Sequence, residues 1–353
     1  MATMQQPGAE SGEPAVQLDG RTARLILVAL TIIAAVIGAA VVFTQSGAQK
    51  TTTAGVTETL RFSGAPAPIA AGTDALWVGI NSAPDRGFQT RSVERISLSG
   101  AVERTLPITG FGEQMGALHL GNALWISRNN DATGTKPSEL DERDWNTGKL
   151  LGRLPFDRGV SDVTYGDGSL WVTVGASPAT VVRVDPATVR PIGKPIVVAP
   201  ARALGSAFGS GAVWETGFDD GSLARVDPGT GHTDRIKLGG AAVGVVDSGG
   251  SVWVALRDRG MVIRVDPRTL RVLHTTTVGA DPAYLVAAGG LIWVANQSDG
   301  TVTRIDARTG QTVGPPIRIT SDDATNLTTA GRSVWVISEK HSSATRIDVN
   351  QGR

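Results

Sequence analysis

From residue 57 onward, apolar and polar positions repeat as one unit. A Gly is followed, two or three residues later, by an apolar residue and then Trp. The runs are GTDALWVGI from Gly72, GNALWIS from Gly121, GDGSLWVTV from Gly166, GSGAVWET from Gly209, GGSVWVAL from Gly249, GGLIWVAN from Gly289 and GRSVWVIS from Gly331. Both alternating positions of these runs are mostly apolar, which predicts strands buried on both faces. The tryptophans stand at 77, 125, 171, 214, 253, 293 and 335, with gaps of 39 to 48 residues. A period near 42 suits one four-stranded propeller blade per unit. Runs such as PAYLVAAG ahead of each Gly predict the inner strand. VTRID-like and TVGPPIRI-like runs after the Trp predict the third and fourth.

A second motif closes each third strand: ERISLSG from Glu94, RDWNTGK from Arg143, RVDPATV from Arg183, RVDPGTG from Arg225, RVDPRTL from Arg264, RIDARTG from Arg304 and RIDVNQG from Arg346. An apolar run ending in Asp-Pro-x-Thr-Gly predicts a tight turn in which Asp caps, Pro fixes φ and Gly takes the left-handed position. Asp144, Asp185, Asp227, Asp266, Asp306 and Asp348 each fall in a separate hairpin, so they read as turn residues and not as a metal set. The chain ends after the third strand of the seventh unit, while a spare strand, Glu58–Ser63, precedes the first. Pairing the two closes the ring and leaves no exposed edge. The expected fold is therefore all-β: a seven-bladed β-propeller closed by strand exchange.

The alternation of G-x-x-LWV with RVDPxTG resembles the YVTN/NHL-type and streptogramin-lyase-like (virginiamycin B lyase-like) seven-bladed propellers, over essentially the whole of residues 57–353. It also resembles the exported propeller of actinobacterial membrane kinases, although no kinase domain is present. A propeller fold hosts many unrelated tasks. The lyase resemblance implies a Glu/His set with magnesium, one His following a Glu where an inner strand opens. The openings here, GAPAPIA, GEQMGAL, GVSDVTY, PARALGS, GAAVGVV, ADPAYLV and DDATNLT, contain no His. Only Glu339-Lys340-His341 brings a carboxylate and an imidazole together near that face. No P-loop, nucleophile elbow or H-E-x-x-H occurs.

Composition adds location. Leu25–Phe43 holds nineteen residues without a charge, about 28 Å of helix, close to the hydrocarbon thickness of a bilayer. Arg21 and Arg24 precede it and the next basic residue is Lys50, so the tail faces the cytoplasm and the bulk is exported. The alternative is a signal cleaved near Ser46-Gly47-Ala48. The expected organisation is a cytoplasmic tail (1–24), a transmembrane helix (25–43), a linker (44–56) and the propeller (57–353). Lys plus Arg and Asp plus Glu both number 33, which argues against nucleic acid as a partner. There is no Cys and there are four His, so disulfides and thiolate metal sites are excluded and no metal site is expected.

Candidate binding residues come from counting. Twelve residues before each repeat Trp lies the mouth of the channel, at Ala65, Glu113, Gly159, Arg202, Ala241, Asp281 and Asp323, with Asp162 close by. Arg257, Glu339 and His341 complete the set on the same face. From Trp to the third-strand motif the spacing is 18 and 17 residues in blades 1 and 2, but 11 or 12 elsewhere. The two long loops, Asn81–Ser92 and Arg128–Ser138, carry Arg86 and Arg128 and would rim a site there, since loops on rigid scaffolds commonly bind. The expected role is that of a membrane-anchored binding, sensor or scaffold module without catalysis. Its partner would be an envelope protein or a small ligand on the blade 1–2 side, and no particular cofactor is indicated. The alternative is an extracytoplasmic metal-dependent lyase or hydrolase.

Overall fold

The computed structural model describes residues 56–81, 89–107, 110–111, 117–129, 135–175 and 177–350. The expected tail, membrane segment and most of the linker lie outside these. Among the described residues no helix is long and apolar enough to cross a membrane.

Seven antiparallel sheets form seven blades. Their innermost strands are Ala65–Ala71, Ala117–Leu120, Val160–Gly166, Ala203–Gly209, Ala242–Ser248, Pro282–Ala288 and Asn326–Ala330. Each packs against the next, and the seventh packs against the first. The displaced strand, Val56–Arg61, pairs with the third strand of blade 7, Ser343–Asp348, with Leu60 opposite Ala344 and Thr59 opposite Thr345. Leu60 packs with Leu76, Ile96 and Trp335 between blades 7 and 1. The two ends of the ring are thus joined by both a ladder and an apolar cluster.

The repeat motifs have separable jobs. All seven repeat tryptophans are at most 1% exposed and fill the space between neighbouring sheets, each burying a large apolar area. In four blades the indole N–H donates to the carbonyl five residues back, at the end of the inner strand: Trp171 to Gly166, Trp214 to Gly209, Trp253 to Ser248 and Trp293 to Ala288, at 3.0–3.1 Å. The motif arginine stands opposite the tryptophan in the ladder, as in Trp171–Arg183 and Trp253–Arg264. It then reaches the Asp-capped turn of the next blade. Arg183 donates to the Pro228 carbonyl (2.9 Å), Arg225 to Pro267 (3.1 Å) and Arg264 to Arg308 (2.9 Å). The motif is a blade-to-blade clasp as well as a turn.

The aspartates cap their own turns. Asp266 Oδ1 accepts the N–H groups of Arg268 and Thr269, and Asp227 and Asp306 repeat the pattern. Gly148, Gly231 and Gly310 take the left-handed position as expected, but Val189 (φ 56°) and Leu270 (φ 58°) hold it in blades 3 and 5. The turn is over-determined by its Asp cap, so a residue with a Cβ is forced into a backbone region it rarely visits. In blade 2 Glu142 stands opposite Trp125 where the other blades have Arg. Trp145 replaces the turn proline there, meets Trp77 edge-on at 6.5 Å, and its carbonyl accepts the Trp77 indole N–H at 2.8 Å.

Candidate functional site: the axial cavity

The inner strands are not regular. In blades 4, 5 and 6 two residues are skipped in the pairing with the second strand: Leu204 and Gly205, Val243 and Gly244, Ala283 and Tyr284. In blade 3 Ser161 is skipped. Such bulges turn side chains out of the pleat, and all seven of these residues line a cavity of about 540 Å³ on the axis. The close approach of neighbouring strands explains two glycines. A Cβ on Gly205 would lie 2.1 Å from the Val243 carbonyl oxygen, and one on Gly244 2.4 Å from that of Ala283.

The cavity lies where inner strands begin. Its rim is completed by residues just after second strands: Phe218, Arg257, Gln297 and Glu339. Inner-strand openings and second-to-third-strand loops therefore share this face, as the sequence predicted. Of the candidates read from sequence, Asp162, Arg202, Arg257 and Glu339 line the cavity.

The others have different places. Asp281 precedes the inner strand of blade 6 and ion-pairs with Arg257, whose Nη2 lies 3.2 Å from Asp281 Oδ2 and 2.9 Å from Gln297 Oε1. It positions a lining arginine without lining the cavity itself. Asp323 is 5% exposed and ties the loops of blade 7 together, accepting from Ser338 Oγ, the Lys340 N–H and Thr325 Oγ1 at 2.8 Å each. His341 turns to Asp322 at 2.7 Å, so it does not converge with Glu339 on the cavity. Lys340 and His341 hold the Asp322 carboxyl well below the usual carboxylate range. Arg128 pairs with Glu139 at 2.9 Å in blade 2. Glu113, Arg86 and the central parts of both long loops lie outside the described residues.

Arg202 stacks its guanidinium 4.5 Å from the Phe218 ring centroid and pairs with Asp219 at 3.2 Å. Both lining arginines therefore already hold a carboxylate. Among the described residues Asp162 has no such partner. Its oxygens accept the backbone N–H groups of Val163 (2.8 Å) and Ser206 (2.9 Å). Burial nevertheless pushes its carboxyl up to about 7, because desolvation penalises the charged form.

Behind it sits a group the sequence reading did not single out. Glu215, 1% exposed, accepts Ser206 Oγ at 2.8 Å and Thr173 Oγ1 at 3.0 and 2.9 Å. Burial, with the nearby Asp162 charge adding to it against those hydroxyls, pushes Glu215 up to about 8. Ser206 thus links a carboxyl that lines the cavity to a buried one, by its N–H to the first and its hydroxyl to the second. The signal was present in the repeat: the residue after the Trp is Val or Ile in six units and Glu in the fourth.

Tyr284, from the bulge of blade 6, exposes 41% of its surface and lines the cavity. Burial, then Asp162 and Glu339, raise its phenol against the opposing pull of Arg257. Groups from blades 3, 5 and 7 thus act on one hydroxyl of blade 6. Among the described residues no three His, Asp or Glu gather as a metal-holding set.

These features define a seven-bladed β-propeller with a polar axial cavity at one face. The chain is similar to solved propellers at low identity. A chain of the mitotic checkpoint complex superposes with a TM-score of 0.69 at 12% identity, over 85% of this chain and 97% of that one. Virginiamycin B lyase from Staphylococcus aureus gives 0.66 at 14%, over 82% and 98%. The Cps50 (Swd1) propeller domain of Myceliophteria thermophila gives 0.64 at 12%, over 84% and 99%. At these identities the likeness concerns the fold. No protein-family model and no curated protein matches the chain.

Proposed function

We propose that this chain is a membrane-anchored binding module whose propeller stands outside the cytoplasm and holds a small polar ligand in the axial cavity, without catalysis. The observation that carries this reading is the convergence of Asp162, Arg202, Arg257, Tyr284 and Glu339, from five blades, on one cavity of about 540 Å³. That volume falls in the range of small-molecule sites, and its few placed polar groups fit recognition. The repeat's YVTN/NHL-type alternation is compatible with this role. The long loops Asn81–Ser92 and Arg128–Ser138 would add rim contacts on the blade 1–2 side.

The test is a metabolite screen by thermal shift on the full chain in detergent. A ligand at a hundred times its Kd stabilises by about 2.7 kcal/mol, a rise of about 5 °C for a protein of this size. The rise should vanish in Tyr284→Ala. Hits that survive this substitution, while substitutions on the opposite Asp-Pro-turn face abolish them, would overturn the assignment of the cavity.

A further inference from the structure

The polar groups of the cavity narrow the ligand further, on the premise that the cavity binds one. Four charged residues line it: Asp162, Arg202, Arg257 and Glu339. Three of them are engaged within the protein. Arg202 pairs with Asp219, Arg257 pairs with Asp281, and Glu339 has a partner of its own. The fourth, Asp162, is met by two backbone N–H groups. Burial holds its carboxyl at about 7, so near neutral pH it is part acid and part carboxylate, and the acid form donates a hydrogen bond as well as accepting one. An ionic ligand would have to compete with these pairs for its counter-charge, and a charge buried without one is costly.

What the wall has to spare is hydrogen bonding. The Ser161 hydroxyl and Arg202 Nε are buried atoms without a hydrogen-bond partner. Among the described residues the Tyr284 hydroxyl and the Gln297 amide nitrogen have none either, since Gln297 uses only its oxygen, toward Arg257. These four groups come from blades 3, 4 and 6 and meet at one cavity. An apolar ligand would leave them unsatisfied, at a cost in affinity. A hydroxyl both donates and accepts, so one kind of ligand group can serve all four and Asp162 as well. The rest of the wall includes Val245, Leu285 and Leu327, and Tyr284 adds a partly exposed aromatic ring. A sugar ring has the matching character, with hydroxyls around an apolar C–H face.

We propose that the axial cavity takes an uncharged polyhydroxylated ligand, a neutral sugar or cyclitol, whose hydroxyls meet Asp162, Ser161, Arg202 and Gln297 while its C–H face lies on the apolar wall beside Tyr284.

The experiment is calorimetric titration of the full chain in detergent with probes matched in shape and differing in charge or hydroxylation. Glucose, galactose and mannose are each set against the corresponding 2-amino sugar and uronic acid, and myo-inositol is set against cyclohexanol. At least one neutral polyol should bind, and its charged or dehydroxylated counterparts should bind at least about tenfold more weakly, because they leave a buried charge or buried polar groups unmatched. Ser161→Ala and Tyr284→Phe each remove one hydroxyl that has no partner among the described residues, so the fold is not at stake. Each should weaken the polyol by about threefold to tenfold. A charged counterpart or cyclohexanol that binds within tenfold of the polyol, or more tightly, overturns this proposal and leaves the cavity reading intact. So does a polyol whose affinity is unchanged in both variants. If none of these probes binds, this proposal fails. The cavity reading fails with it only if the metabolite screen is empty too.

Discussion

Glu215 sets the molecule against itself, and the consequence is measurable. Its carboxyl is raised from an ordinary value of 4.5 to about 8, so the folded state holds the proton more tightly than the unfolded chain does. For a group raised in this way, the favourable contribution is complete below the unfolded value. It is lost progressively as pH climbs from 4.5 to about 8, and is then constant. At about 1.4 kcal/mol for each pH unit, the loss between pH 5 and pH 8.5 comes to about 4 kcal/mol. Glu215→Gln removes the titration and keeps an oxygen to accept from Thr173 and Ser206. The assay is thermal unfolding of the full chain across that pH range, followed by the fluorescence of the buried tryptophans. Relative to Glu215→Gln, the native chain should lose about 8 °C in Tm between pH 5 and pH 8.5, at about 2 °C per kcal/mol. Glu215→Val, which restores the residue of most other blades, should flatten the same limb. Its absolute stability carries the separate effect of two hydroxyls deprived of an acceptor. Parallel Tm curves for the native chain and both variants would refute the account of Glu215 as a desolvated acid.

The remaining predictions concern closure, turns and orientation. Leu60→Ala, in the strand that joins the ends, should destabilise by about 2–5 kcal/mol as a core truncation; a shift in urea unfolding below about 1 kcal/mol would mean that Val56–Arg61 does not close the ring. The turn aspartates act with the opposite sign to Glu215. Turn N–H groups and Thr hydroxyls hold Asp227, Asp266 and Asp306 below the usual carboxylate range, so their contribution is present above that range and lost as pH falls through it. The double variant Asp227→Asn/Asp266→Asn should show a shallower fall in Tm below pH 4, and an unchanged fall would defeat the capping argument. Because the chain has no cysteine, Lys194→Cys at an exposed site offers a single thiol, which an impermeant maleimide should label on intact cells. Labelling only after lysis would reverse the proposed orientation.

The fold was legible because it is written seven times. A Trp in register opposite an Arg, and an Asp that caps a turn, recur in most of the units, and each has a local cause that needs no partner far away in sequence. The closing strand could be read because a ring of sheets cannot leave an edge. The same logic failed at Val189 and Leu270, where the Asp-capped turn places residues that do not favour the left-handed region in it. Counting back from Trp found Arg202 on the cavity, but inner strands begin between 8 and 12 residues before their Trp, so the other counted positions are not among its lining residues. It could not tell which side chains the bulges would aim inward. That distinction separates Tyr284, which lines the cavity, from Asp323, which is locked into a loop.

The groups that give the cavity its chemistry are departures from the repeat. Glu215 stands where six blades have Val or Ile. A repeat reports what every blade needs, which is packing and closure. A site on the axis needs different groups from different blades, because one small ligand meets each blade once and from a different side. In a propeller of this kind the informative alignment is therefore internal: the seven units are laid on one another, and the positions that break the pattern without serving the ladder are collected. By that criterion Glu215 ranks above Asp281 and Asp323, although the count from Trp singled out the latter two. Its neighbour Ser206 carries the argument one step further. Its N–H reaches Asp162 on blade 3 and its hydroxyl reaches Glu215 on its own blade 4, so the protonation of a carboxyl inside the wall is coupled to the charge of one facing the cavity. Ser206→Ala tests that coupling: it leaves the N–H on Asp162 in place and removes the hydroxyl from Glu215. The Glu215 carboxyl should then hold its proton more tightly, and the alkaline limb of the Tm curve should reach to higher pH at the same slope. A limb that ended at the same or a lower pH instead would show that the Ser206 hydroxyl does not restrain the proton affinity of Glu215.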